Sequence, residues 1–345
     1  MTKEKAKPVN LNSIVKSLKE TYGSLKVASQ DPPSEEYIST GNLAFDCALD
    51  GGMAWGHVGE LLGMSQSGKT TIMQIMLADA QKKYNAIGVW ADRENAWHNG
   101  RAESLGVDLD RVIVLKPQDI PEVTQWTQFL QDILPKLSRD PNQYIFIAMD
   151  SVAAFDDPTK ADKSDMGKKA QQVHRLFRKI LPLVHKKAMF LFTNHRTFKI
   201  GVLFGDPETS TGGEGTKFYP SYRIKLDNRK AIIDPTKGGE NIGNWISVYI
   251  IKTRSGPSHR EILLHHLYDS GIDYFGGYAR MLVKRNYLEP KNKSEFKSFK
   301  QTTVTYKDAS FSEWDIEKKL KDFPELLFDK YPEYKMEEKN EEHLS

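Results

Sequence analysis

Apolar residues along this chain fall in short unbroken blocks, and the polar stretches between them repeat at helical spacing. Residues 57–62 (HVGELL) can form a short buried strand, and residues 71–78 (TIMQIMLA) open a helix. Further blocks follow at 86–91, 111–115, 144–151 and 188–194, with helical stretches between them; one spans 121–138, with Pro135 close to its end. The run at 144–151 is almost wholly apolar and carries Asp150 near its end, as suits a strand covered on both faces of a parallel sheet. Strands alternating with helices predict an α/β fold with a doubly wound, mainly parallel sheet and ligands at the strand C-terminal ends. Shorter strands are expected at 221–227, 245–254 and 260–268, with a smaller C-terminal region from about residue 276.

Ahead of this pattern, Leu11, Ile14, Val15, Leu18 and Tyr22 mark an amphipathic helix, followed by a connector with Asp31-Pro32-Pro33. The helix either packs on its own domain or forms an arm that docks on a neighbouring subunit.

Residues 63–70, GMSQSGKT, stand between the first strand and its helix with Gly63, Gly68, Lys69 and Thr70 at P-loop spacing. Small residues let backbone N–H groups converge on phosphate oxygens, and the helix N-terminus adds partial positive charge. Lys69 is expected to reach the outer phosphates and the Thr70 hydroxyl to ligate Mg²⁺. The plain alternative is a glycine-rich structural turn with an exposed lysine. Asp150, ending a buried strand, is the matching acid for the metal. Glu94, just past the end of the 86–91 strand, can orient and deprotonate an attacking water; a solvated loop acid is its bland reading.

With 345 residues, 39% hydrophobic and 28% charged, the composition is that of an ordinary globular chain with room for one large domain and appendages. No apolar run reaches membrane-spanning length and the first residues lack a signal-peptide core, so a cytoplasmic location is expected. Cys47 alone permits no intrachain disulfide and no zinc knuckle.

Net charge is only +3, but its distribution is uneven. Residues 160–199 hold eleven Lys and Arg against Asp162 and Asp165. From 168 to 187 the apolar spacing (Val173, Leu176, Phe177, Ile180, Leu183, Val184) is helical, which predicts a shared basic outer face turned to a polyanion. Residues 196–216 form a long loop with five glycines and apolar side chains, suited to stacked bases of a single strand. The 284–307 stretch is again basic, with seven Lys and Arg against two Glu, and the last 14 residues are an acidic tail with five Glu against two Lys.

Residues 199–213 (KIGVLFGDPETSTGG), continuing to Lys217-Phe218-Tyr219, resemble the second DNA-binding loop of the bacterial RecA recombinase family nearly residue for residue. Ile38-Ser39-Thr40-Gly41, Met149-Asp150-Ser151-Val152-Ala153-Ala154 and Asp165-Met166-Gly167 are further matches, and the resemblance runs from about residue 11 to 290. It implies a P-loop ATPase core that forms a helical filament on single-stranded DNA and pairs it with homologous duplex DNA. ATP and Mg²⁺ are the implied ligands, and single-strand-binding and mediator proteins the implied further partners, with no membrane. The implied domains are a polymerisation arm (1–33), an ATPase core (34–275) with DNA loops at about 156–166 and 196–216, a small C-terminal α/β domain (276–331) and the acidic tail (332–345).

By match, ATP would be held by Gly63, Met64, Ser65, Gln66, Ser67, Gly68, Lys69, Thr70 and Thr71, with Tyr268 near the adenine. Glu94 corresponds to the water-activating glutamate, and Lys252 and Arg254 to two lysines that reach ATP across the subunit interface. Met166, Arg178, Arg196, Lys199, Ile200, Gly212 and Gly213 fall on the DNA-binding side, and Phe218 on the interface relay. Departures are equally specific. The family's phosphate-sensing glutamine is His195, which still donates a hydrogen bond but belongs to a residue type whose charge changes near neutrality. The adenine-stacking tyrosine is Arg101, whose guanidinium plane can also stack. Arg254 replaces a lysine, the first DNA loop is a few residues short, and likeness fades after about residue 290. A divergent, phage-type relative fits these differences. Three functions remain open: a DNA-dependent ATPase and strand-exchange recombinase, a filament-forming DNA binder with weak turnover, and a ring helicase on the same core.

Overall fold

The computed structural model describes residues 10–22, 27, 36–155, 163–198, 208–210, 213–234, 238–254, 256–298 and 301–327. The chain divides into two compact units, residues 1–36 and 37–345. In the first, the helix Leu11–Tyr22 is capped by Asn10, whose Oδ1 accepts from the backbone N–H of Asn12 and Ser13. Its apolar positions Leu11, Ile14 and Leu18 are exposed.

The second unit is built on a large mixed sheet. Six strands run parallel in the order Val112–Leu115, Ile87–Asp92, Ile145–Asp150, Ala188–Phe198, Val58–Gly63, Tyr222–Asp234. Glu240–Lys252, Glu261–Leu267 and Gly271–Ile272 then extend the sheet in antiparallel fashion, and Glu208–Ser210 pairs with the end of Ala188–Phe198.

Side chains alternate across the sheet and build two separate cores. Phe146 and Ala148 join the helix Lys69–Tyr84 on one face, through Ile72, Met73, Met76 and Leu77. Ile145, Ile147 and Met149 join the helices Val123–Leu137 and Lys163–Ile180 on the other. Both faces are covered, which is why these strands read as continuous apolar runs.

Several boundaries differ from the expected ones. The strands expected at 221–227 and 245–254 are each 13 residues long, Tyr222–Asp234 and Glu240–Lys252, because they pair with each other over most of their length. The helix expected to reach residue 187 stops at Ile180 and tightens into a turn at Leu181–Leu183, since Pro182 has no N–H to continue it. Toward the C-terminus, Glu289–Pro290, Thr303–Tyr306 and Ala309–Ser312 form a small antiparallel sheet. Its Val304 and Phe311, with Ile316 and Leu320, belong to the same buried cluster as Leu61 and Ile72. A buried ion pair, Arg280 Nε to Glu313 Oε2 at 2.7 Å, ties this region to the helix Tyr278–Lys284. Among the described residues, no helix is long and apolar enough to cross a membrane.

Candidate active site

The P-loop leaves its strand at Gly63 and enters its helix at Lys69 through Gly68, which takes the left-handed φ of +84° that glycine adopts without strain. A Cβ at Gly68 would stand 2.8 Å from Ile246. Lys69 is buried and its Nζ donates to the carbonyls of Met64 (2.7 Å) and Gly63 (3.3 Å), curling over the turn. Burial depresses its pKa, and Asp150 and Glu94 oppose that effect. The Ser67 hydroxyl in the same turn is buried without a partner among the described residues. An ammonium, an orphaned hydroxyl and a helix N-terminus at one small-residue turn fit a polyphosphate.

Asp150 ends its strand fully buried, and burial raises its pKa. Two hydroxyls offset this: Thr70 donates to Oδ2 at 2.6 Å, and Thr193 donates to Oδ1. No cluster of three or more His, Cys, Asp or Glu among the described residues could hold a metal. One carboxylate and one hydroxyl beside a phosphate site suit Mg²⁺, which takes its other ligands from water and phosphate.

Glu94 is brought to Asp150 by the backbone. The N–H groups of Arg93 and Glu94 donate to the Asp150 carbonyl at 2.7 and 3.2 Å. Asp92, buried at the end of the neighbouring strand, accepts from the N–H groups of Ala96 and Trp97 and from Lys116 Nζ, pinning the turn on which Glu94 stands. The Glu94 carboxylate meets His195 Nε2 at 2.8 Å. That contact, with lesser help from Lys69, holds the Glu94 carboxyl below the usual range. Since an ionised carboxylate only accepts, His195 Nε2 carries the proton. His195 is level with Gly63 in the sheet, so it faces the end of the P-loop strand.

Arg101 and Tyr268 are brought to one edge of this site. Arg101 Nη1 donates to the carbonyl of Asp269 at 2.9 Å, and the half-exposed Tyr268 hydroxyl meets the amides of Asn241 and Asn244 at 3.1 Å each. Gly271, just beyond, lies against Thr71 of the P-loop helix and Leu105. Lys252 and Arg254 lie elsewhere. Lys252 is opposite Arg223, which is level with Glu60 rather than Gly63, and its Nζ donates to the Phe218 carbonyl at 3.1 Å. The Phe218 ring is 72% exposed.

The basic helix Lys163–Ile180 buries Val173, Leu176, Phe177 and Ile180 and exposes Lys168, Arg175, Arg178 and Lys179, as its spacing predicts. One basic residue corrects the reading of a single outer face. Lys169 is buried, with Nζ on the carbonyl of Ala153, because it shares the helix face of Val173 and Leu176. Arg196, expected on the DNA side, has only 13% of its side chain exposed and forms an ion pair with Asp227 two strands away, which claims its guanidinium. Gly213 has φ +69° and packs against Ala170, where a Cβ would stand 2.9 Å from that of the alanine. Lys199, Ile200 and Gly212 lie outside the described residues, as does the side chain of Met166. Sequence reasoning missed Thr193, Asp92, Glu60 and Arg223; Glu60 left the clearest trace, as the one charged residue in the apolar strand Val58–Gly63.

The RecA N-terminal domain family model matches residues 9–273. The chain is 33% identical over 299 residues to Protein RecA of Clostridium acetobutylicum, covering 84% of this chain and 81% of that one. It is 31% identical over 338 residues to Protein RecA of Thermotoga petrophila, covering 94% and 90%.

Proposed function

The chain belongs to the RecA family, the DNA-dependent ATPases of recombination and repair, and on that premise we propose how its residues divide the work. ATP is the substrate, bound at 63–71 with its phosphates against Lys69 and its base at the edge formed by Arg101 and Tyr268. Glu94 accepts the proton of the attacking water, and His195 holds Glu94 in place. Mg²⁺, when bound at Thr70 and Asp150, neutralises phosphate charge.

Lys252 and Arg254 reach the nucleotide of a neighbouring subunit, so ATP sits between copies and the filament grips single-stranded DNA while ATP is present. Phe218 and the helix Leu11–Tyr22 make subunit contacts, and the exposed Arg178, with the segment from 199 to 213, faces DNA. Homologous duplex DNA is the second DNA partner, and single-strand-binding and mediator proteins act on loading. The observation that carries this reading is the convergence of Lys69, Asp150 and Glu94 from three strand ends, with the Glu94 backbone bonded to Asp150. Its test is ATP turnover with and without single-stranded DNA. Lys69→Ala should lower stimulated turnover by about 100-fold or more; unchanged turnover overturns the assignment.

One observation favours a second reading, a filament-forming DNA binder with weak turnover: His195 occupies one oxygen of the water-activating acid. That reading gives DNA-bound filaments with ATP but negligible DNA-stimulated hydrolysis. Rings instead of filaments in electron micrographs would point to the helicase.

A further inference from the structure

The nucleotide end of the sheet and its Lys252 end are joined by side chains to which the proposed chemistry gives no part. Glu60 lies in the middle of the P-loop strand with its side chain fully buried. Its Oε1 accepts from Asn194 Nδ2 at 2.9 Å and its Oε2 from Arg223 Nε at 2.6 Å. The other end of the Asn194 amide, Oδ1, accepts the backbone N–H of His195 at 2.9 Å, and His195 Nε2 holds Glu94. In the other direction, Arg223 pairs with Lys252 at a register shift between their strands, and Lys252 Nζ is on the Phe218 carbonyl. Glu94, His195, Asn194, Glu60 and Arg223 therefore form a hydrogen-bonded succession, and Lys252, the cross-strand pair of Arg223, continues it by position to Phe218.

A sheet core gains nothing from a carboxylate that an apolar side chain would not supply more cheaply, because burying a charge is costly unless it is paired. What Glu60 supplies is charge and direction. Arg223 and Lys252 are like charges on cross-strand partners, an arrangement that repels, and Glu60 is the buried carboxyl beside Arg223: burial raises its pKa, while the Arg223 charge and the Asn194 hydrogen bond pull it back toward the charged form. The two oxygens of Glu60 also point two ways, one toward the group that holds His195 and one toward the group beside Lys252. A shift of His195 toward or away from a phosphate changes the pull of Asn194 on Glu60, and so the hold of Glu60 on Arg223.

We propose that Glu60 is a positioning residue that couples the nucleotide at its own P-loop to Lys252, two strands away in the same sheet. This rests on the reading that Lys252 acts on a neighbour's nucleotide. The test is a double-mutant cycle on the full chain, with DNA-stimulated ATP turnover measured for Glu60→Gln, Lys252→Ala and both together. The amide keeps the size of Glu60 and an acceptor for Asn194 but removes the charge.

Glu60→Gln should lower kcat about tenfold with KM for ATP within about threefold, and the double variant should be no slower than Lys252→Ala alone. A merely structural Glu60 would give effects that multiply, and that result overturns the coupling. Wild-type turnover in the single variant Lys252→Ala overturns the interface reading, and the coupling with it, and is recognised without reference to Glu60. If thermal melting shows Glu60→Gln unfolded, Arg223→Lys enters the same cycle, with the same outcomes supporting or overturning the proposal.

Discussion

The Glu94 carboxylate and the His195 imidazole, 101 residues apart in sequence, meet with Oε1 and Nε2 at 2.8 Å. The two arrive from different strands: Glu94 on the turn after Ile87–Asp92, pinned by Asp92 and Asp150, and His195 within Ala188–Phe198. On the proposed reading, the pair gives the ATPase a base held in one orientation before any substrate binds.

His195→Ala frees Glu94 while leaving Lys69 and the P-loop intact. Stimulated kcat should fall about 10- to 100-fold, with KM for ATP changing far less. The pH profile gives the sharper reading. His195 is the main cause of the depressed Glu94 carboxyl, whose ordinary value is 4.5. A depressed carboxyl lends stability that is present above 4.5 and lost as the pH falls through its lower folded value. Without His195 the carboxyl rises, so the acid limb of the turnover profile moves to higher pH. An acid limb that does not move removes His195 from control of Glu94.

Thr193→Val replaces a hydroxyl that donates to Asp150 Oδ1 with a methyl group of similar size. The buried carboxylate then keeps Thr70 as its remaining hydroxyl donor, and stability should drop by about 1–3 kcal/mol. Denaturant melts measure the loss. A Mg²⁺ titration of turnover should show a weaker metal requirement curve, displaced to higher concentration, because Asp150 is less well held.

Glu313→Ala strands the buried guanidinium of Arg280, which also donates to the Phe296 carbonyl at 2.6 Å. Removing one partner of a buried pair should cost about 3–5 kcal/mol in unfolding free energy. Replacing both, as Arg280→Met with Glu313→Leu, should recover most of it. A single substitution as mild as a surface change would show the pair to be solvated in solution.

Phe218→Ala removes a ring that is 72% exposed, so unfolding of the isolated subunit should change by less than about 0.5 kcal/mol. Filament formation on DNA, followed by light scattering or electron microscopy, should fail. Intact filaments would take Phe218 out of the subunit interface.

Much of the nucleotide site was legible because its signals are local. GMSQSGKT lies between a strand and a helix, and Asp150 closes an apolar run, so the spacing alone singled out Lys69, Thr70 and Asp150, which the fold brings together. The helix face of Val173, Leu176, Phe177 and Ile180 followed from period 3.6, and the same period, followed back one turn, puts Lys169 inside. Counting charges without asking which face each occupies hid that residue.

The partners of Arg196 and Glu60 had no such signal. Asp227 and Arg223 are about 30 and 160 residues away along the chain, on strands whose neighbours are set by how helices cross over the sheet. The sequence by itself determined the elements, their buried faces and the phosphate-binding turn, because helix and strand periodicities are properties of a few consecutive residues. Only the tertiary structure decided that Val58–Gly63 lies between Ala188–Phe198 and Tyr222–Asp234. That order places Glu60 between Asn194 and Arg223, since strand adjacency is a long-range packing choice that no short window of sequence contains.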